Sequence, residues 1–370
     1  MVETELPGKS AGPLAGVLVA DFSRILAGPY ATMLLADMGA SVVKVEGPKG
    51  DDTRTWTPPV RDGVSTYYLG INRGKRSIAL DLRDEADVEV ARELARRADV
   101  VIENLKPGGM AKYGLDFEAV RATNPGVVYA SISGFGSGAG KDVPGYDLMV
   151  QAMSGLMSLT GDPDGPPFRA GISVFDVMAG NHATIGVLAA LRHRDATGEG
   201  QHVEVNLLSS ALTGLVNHSS AYVAAGVVPF RMGNAHPSVF PYEALPTADN
   251  DLIVTAANDG QFRKLCEVLG IPEVADDPRY ARNADRTERR DELRPVLVER
   301  PINTIDGGFA MAERFELDPV VVVGEGDRAV PTTRHPIRFS ATPVGYELPP
   351  PLLDEHGEEL RTWLAKGEDA

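Results

Sequence analysis

A chain of 370 residues is long enough for two domains, and its 43% hydrophobic and 24% charged residues are those of an ordinary globular protein. With 36 Lys and Arg against 52 Asp and Glu, the formal charge of −16 excludes a broad basic face for nucleic acid. It still allows a local cationic cleft for a small anion. The single cysteine, Cys266, excludes an internal disulfide and any multi-cysteine metal cluster. No apolar run approaches the roughly 18 residues of a membrane span. The opening MVETELPGKSAG also lacks a signal-peptide layout. The expectation is a cytoplasmic protein with no membrane partner.

In chain order, GVLVADF (16–22) is a strand-length apolar run, followed by a turn and a helix opened by Gly28-Pro29-Tyr30. Pro29 suits the first helical turn and Gly39 the C-terminal cap. SVVKVE (41–46) and RSIALDL (76–82) read as strands, EADVEVARELARRA (85–98) as a helix, DVVIENL (99–105) and GVVYASISGF (126–135) as further strands. This alternation predicts an α/β fold, right-handed βαβ units on a mostly parallel sheet. DVMAGNHATIGVLAALRHR (176–194) predicts a long helix with an acidic N-cap and a basic last turn. QHVEVNLLSSALTGL continues as a strand and a helix. Around 226–246 the texture turns to Gly, Pro, Asn and His, as in a linker. DLIVTAAND is then a strand, QFRKLCEVLG a helix, and the charged stretch 277–300 helical. The predicted large domain therefore joins 14–225 with 318–370, and the linkers and a smaller α+β domain occupy 226–317.

Several familiar devices are missing. The first βα turn, DFSRILAGP, has no G-x-G-x-x-G, and the chain has no Walker motif and no G-x-S-x-G elbow. The histidines show no H-x-H or H-E-x-x-H pairing, so no metal site is expected. Gly134–Gly140 is glycine-rich but opens no helix and reads as a loop. What remains is a set of polar residues at predicted strand ends, where doubly wound sheets bind ligands. These are Arg24, Glu46, Asn72, Lys75, Arg76, Asn104, Tyr146 and Asp147, with Arg169 before GISVFD and Asp176 at its end. A crevice with Arg24, Lys75, Arg76, Lys112 and Arg169 would hold a polyanionic phosphate ligand, although on pattern alone the same residues read more readily as solvated surface cations. On pattern alone Asp176 reads as a helix cap worth about 1 kcal/mol.

LAGVLVADFSRILAGPYATMLLADMGASVVKVEGPKGDDTR resembles the opening of the family III (CaiB/BaiF-type) CoA-transferases. So do NRGKRSIALDL, DVVIENLKPG, GYDLMVQAMSGLMSLTG, AGISVFDVMAGNHATIGVLAAL and TGEGQHVEVNLL, in order and over most of the chain. The resemblance implies a Rossmann-like large domain built from both chain ends, a smaller domain on long linkers, and a homodimer of interlocked chains. It implies acyl-CoA and carboxylic acids as substrates, with no tightly bound cofactor. Block by block, the family's catalytic aspartate falls on Asp176, and its CoA-contacting positions on Arg24, Ile25, Leu26, Ala27, Lys75, Asn104, Leu105, Lys112 and Tyr146. Arg169 is, by charge and position, a candidate grip for the acceptor carboxylate. A basic position found after the second strand in some relatives is Gly47 here. The glycine-rich flap of formyl-CoA transferase has no counterpart near RMGNAHPS. The sequence VER also runs straight into PINTI, without the Trp-containing helix and G-V-P-x-G-P segment of relatives.

Transfer of CoA between carboxylates invites covalent catalysis, and a carboxylate nucleophile mirrors the chemistry of its substrates. An aspartate at a helix start is expected to stay ionised through the helix dipole, with backbone N–H groups of that helix serving the tetrahedral oxyanions. The rival within the same superfamily is α-methylacyl-CoA racemase chemistry, which needs a histidine where this chain has Gly145-Tyr146-Asp147 and a glutamate where it has Asp259. A phenol with an ordinary pKa near 10 is a poor base at neutral pH. A third reading is a CoA-binding protein without catalysis.

Overall fold

In the computed structural model of the chain, residues 11–246, 251–297, 312–313, 315–342 and 344–365 are described. The apolar runs form strands β1 (Leu18–Asp21) and β2 (Ser41–Glu46), a short hairpin of β3 (Val60–Arg61) and β4 (Val64–Ser65), then β5 (Lys75–Ala79), β6 (Val100–Glu103), β7 (Val128–Ser133) and β8 (Gln201–Asn206). All but the hairpin join one parallel sheet in the order β5-β2-β1-β6-β7-β8. The chain changes direction across the sheet between β1 and β6. At such a switch point the loops leaving the strand ends diverge and leave a crevice.

The helices between strands are α1 (Ala27–Asp37), α2 (Thr66–Ile71), α3 (Glu85–Arg97), α4 (Phe117–Thr123), α5 (Asp147–Met153), α6 (Leu156–Leu159), α7 (Val174–Thr197), α8 (Leu207–Gly214) and α9 (Val216–Ala225). Ala91 and Leu94 of α3, Val120 of α4, and Leu360 and Leu364 of a C-terminal helix, Gly357–Ala365, pack with Val43, Val101 and Tyr129 of the strands. The terminal helix is tied down by Arg361, which donates to the Ala79 carbonyl at 2.6 Å, and by Arg97, which donates to the carbonyls of Trp363 and Leu364. Of the described helices, α7 alone is long and apolar enough to cross a membrane by length and composition. Phe175, Ala179, Ala183, Val187 and Leu191 are its buried face. Asn181, His182 and the glycines interrupt its apolar sequence, which is why no continuous apolar run announces it.

Contacts divide the chain into two compact units, one of residues up to Ser154 with Ala170–Ser220 and those from Pro319, the other of Gly155–Arg169 and Ala221–Asp318. The second unit carries the antiparallel pair β9 (Tyr242–Pro246) and β10 (Asp251–Thr255), helix α10 (Asp259–Leu269) and three short helices, α11 (Pro272–Asp276), α12 (Asn283–Glu288) and α13 (Arg290–Leu293). Phe240, Val254, Phe262, Cys266 and Leu293 form its core. The stretch expected to be helical over 277–300 is broken. Arg286 is fully buried there and donates to the carbonyls of Phe240 and Tyr280 and to Asp259, so the chain wraps around a guanidinium instead of running straight. The join between VER and PINTI lies outside the described residues.

Candidate active site

The turn after β1 is held by side chains from four places. Ser23 donates its N–H to Asp21 at 3.0 Å, and Lys44 donates to the Ser23 carbonyl at 3.0 Å. Asn104 grips Arg24 on both sides, accepting its N–H at 2.8 Å and donating to its carbonyl at 2.7 Å. Ile25, a β-branched residue, sits at φ +69°, and its N–H donates to Asp51 at 3.1 Å. That conformation costs on the order of 1–3 kcal/mol, and it persists only where the surroundings impose it. Beyond the turn, α1 opens without a side-chain cap. The N–H groups of Leu26, Ala27 and Gly28 have no partner among the described residues, and Pro29 has no N–H to offer. The side chains of Leu26 and Ala27 are buried, so only their backbone is available.

Ser23 and Arg24 line a crevice of about 480 Å³ with Gly47, Lys49, Asp51, Asp52, Arg83, Leu105 and Tyr113. Arg24 is exposed and lies 3.6 Å from Asp52. Lys112 is exposed and lies 4.5 Å above the ring of Tyr113. Gly47 lines the crevice, and Lys49 lines it two residues on.

Lys75 departs from expectation. It is fully buried, and its ammonium donates to Asp21 at 3.2 Å, the Pro29 carbonyl at 2.9 Å and Asn72 at 3.0 Å. All three of its donors are used, so it has none for a phosphate, and its role is to neutralise Asp21 beneath the turn. Burial pulls its pKa down to about 8, against the attraction of Asp21. Burial would raise the Asp21 carboxyl, but Lys75 and Lys44 outweigh it and hold it below the usual range.

Asp176 lies in the first turn of α7, which begins at Val174; the N-cap residue is Ser173, not Asp176. The capping work is done from another helix. Asp147, at the start of α5, accepts the N–H of Phe175 at 2.8 Å and that of Asp176 at 3.2 Å, while Val174 and Val177 donate to the carbonyls of Ile172 and Ser173. Two expectations change. Asp176 does not spend its carboxylate on its own helix, and no hydrogen bond to that carboxylate comes from a described residue. The first-turn N–H groups of α7, however, are all engaged, so they cannot serve an oxyanion. Nor does the helix dipole keep Asp176 acidic: burial first, and the negative Asp147 second, push its pKa up to about 7.

Gly180, one turn on from Asp176, brings α7 against α1. A Cβ at that position would lie 2.7 Å from the Ala27 carbonyl oxygen, so only glycine allows this approach. Tyr67, on α2, links the two halves of the site. Its hydroxyl bonds with that of Ser173 and its ring packs edge-on to Trp56; burial and the nearby charges of Asp176, Asp147 and Asp51 push its pKa up to about 12. It is therefore a neutral phenol at neutral pH. Tyr146 precedes Asp147 at the start of α5 and is largely exposed. Arg169 falls in the second unit. Asp259, also there, is tied to the buried Arg286 at 2.7 Å.

Asp51, Lys49 and Tyr67 were not among the candidates read from the sequence, and Asp147 was noted without a role. One signal was available: a lysine and a glutamate inside the central strand β2 must each have a buried partner, and these are Asp51 and Arg54.

The family model for CoA-transferase family III matches residues 14–304, so the chain belongs to that family. It is 44% identical to a succinate–glutarate CoA-transferase of Agrobacterium fabrum, covering 96% of each chain. It is 43% identical to an acetyl-CoA:oxalate CoA-transferase of Acetobacter aceti, covering 100% of each. Among solved structures, a CaiB/BaiF family protein from Brucella suis has a TM-score of 0.84 at 41% identity, covering 96% of this chain and 100% of that one.

Proposed function

We propose that this protein moves CoA from an acyl-CoA donor to a carboxylic acid through covalent intermediates on Asp176, with small dicarboxylates as its acids. The observation that carries the reading is a desolvated Asp176 carboxyl that takes no hydrogen bond from a described residue, one turn before Gly180, where α7 meets the start of α1 with its open N–H groups. In its ionised form an Asp176 oxygen attacks the thioester carbonyl; the C–S bond breaks and CoA leaves as thiolate, giving a mixed anhydride. The thiolate attacks the aspartyl carbonyl, the donor carboxylate departs, and Asp176 carries CoA as a thioester. The acceptor carboxylate attacks that carbonyl and displaces the thiolate again. The thiolate then takes the acceptor's acyl group and returns Asp176 as a carboxylate. Each intermediate passes through a tetrahedral oxyanion, for which the free N–H groups of Leu26, Ala27 and Gly28 are suitable donors, each worth about 2.7–4 kcal/mol in comparable sites.

The coenzyme's place in this reading is the crevice beside the turn, with Arg24, Lys49 and Lys112 facing its phosphates and Leu105 its apolar parts. The chain is read as a homodimer, interlocked as in its family; exposed Val216, Tyr222 and Val223 on α9 are apolar surface that a second copy would cover. The racemase reading is weaker, because its base position is a phenol, Tyr146, and Asp259 is occupied by Arg286.

The dicarboxylate assignment draws on the relatives named for succinate, glutarate and oxalate. A donor–acceptor panel tests it, with succinyl-CoA, glutaryl-CoA and acetyl-CoA each offered oxalate, succinate, glutarate and acetate. Exchange among the dicarboxylates at least about tenfold above acetate, a difference of about 1.4 kcal/mol, is the expected result. Equal rates for acetate overturn the substrate class, and the absence of exchange from every pair overturns the transferase reading.

A further inference from the structure

Asp51 binds no surface group and lies outside the covalent chemistry, yet it converges on the strained turn. It is buried. One oxygen accepts from the backbone and hydroxyl of Thr53 at 2.9 and 2.7 Å; the other accepts from Ile25 at 3.1 Å and from Lys44 at 2.9 Å. Its own N–H is fixed by Glu46 at 2.8 Å. Among the grips on the turn, this is the one that holds the strained residue itself. A carboxylate lining a site for a polyphosphate would repel its ligand unless neutralised, and Lys44, fully buried, supplies the neutralising charge.

We propose that Asp51 is a positioning residue: by fixing the Ile25 N–H it holds the Ser23–Ala27 turn in the left-handed form that accepts the coenzyme. This rests on the reading that the crevice holds CoA. In this proposal Ile25 meets the coenzyme through its backbone alone, in a conformation that isoleucine avoids and glycine adopts without strain. Weakening the Asp51 grip should therefore release the turn, and removing the strain should restore it.

Titration calorimetry with free CoA tests this on three proteins. Asp51→Asn keeps one acceptor oxygen but loses the charge facing Lys44, and its Kd is expected to rise about tenfold with unchanged stoichiometry. Adding Ile25→Gly to Asp51→Asn is expected to return Kd to within about threefold of wild type, a recovery that a general loss of stability would not show. Asp51→Asn binding CoA as tightly as wild type, or a loss that Ile25→Gly leaves unrepaired, overturns the inference. Should Asp51→Asn fail to fold, Thr53→Val, which removes one hydroxyl bond to Asp51 and leaves its charge, serves instead. A Kd raised about threefold with unchanged stoichiometry supports the proposal, and an unchanged Kd contradicts it. Wild-type protein that binds no CoA sinks the crevice reading along with the inference; wild-type binding with an unaffected Asp51→Asn sinks the inference alone.

Discussion

Asp176→Asn and Asp176→Ala are each expected to lower CoA transfer by about 10⁴-fold or more, the scale reached when a covalent nucleophile is removed. Affinity for free CoA is expected to change little, because the proposed coenzyme contacts lie on the loops around the crevice and not on α7. The same substitution should stabilise the protein, and the sign follows from proton binding. The folded-state pKa of Asp176, about 7, is above its ordinary value of 3.8, so between those limits the folded state binds more protons than the unfolded one. The charged form is disfavoured by folding, on the order of 4 kcal/mol for such a shift. That cost is absent below about pH 4 and complete above about pH 7. Asp176→Asn is thus expected to melt several degrees above wild type at pH 8, with the gap closing in acid; calorimetry at both pH values, alongside the transfer assay, checks this. An inactive variant that melts no higher at pH 8 would mean that the charge is not held at a cost.

The second large effect concerns Asp147. Its carboxylate caps α7 and also places a negative charge beside Asp176, so it makes the Asp176 carboxyl harder to ionise. In wild type, kcat/KM should rise with pH to a plateau, with a midpoint near 7, because attack requires the ionised carboxylate. Asp147→Asn removes the charge and leaves the burial, and the midpoint is expected to fall by about one unit. Relative to its own rate at pH 8, the variant at pH 6 should be roughly fivefold faster than wild type, although its absolute plateau is lower through the damaged cap. Asp147→Ala, which orphans the N–H groups of Phe175 and Asp176, should lose about 10²-fold at the plateau. pH–rate profiles of the three proteins check both, and an unshifted midpoint in Asp147→Asn would detach Asp147 from the titration.

The strands and their order of appearance were legible because buried parallel strands are short, continuous apolar runs, as in LVAD, SVVKVE and VVIE. The broken helices at 283–293 were not, because charge alone cannot tell a solvated arginine from Arg286, which is buried and organises the chain around itself. Lys75 illustrates the same ambiguity in the site: a lysine before a strand looks like a phosphate ligand until Asp21, Pro29 and Asn72 are seen to consume its donors. Asp176 stood out as the candidate nucleophile through the blocks that flank it. Its protonation was not legible, since that depends first on burial and then on Asp147, which lies 29 residues earlier in the chain and is brought alongside only by folding. The strain at Ile25 left no trace either, because isoleucine is the last residue that local preference would place at a positive φ.

The most direct measurement is the mass of the tryptic peptide spanning 170–192, which contains Asp176, after incubation with succinyl-CoA and no acceptor acid. The account predicts that peptide heavier by one CoA less one water, with the modification on Asp176 and its loss on addition of glutarate. An unmodified peptide in protein that still exchanges CoA, or loss of an α-deuterium from the acyl group with no adduct, would contradict it.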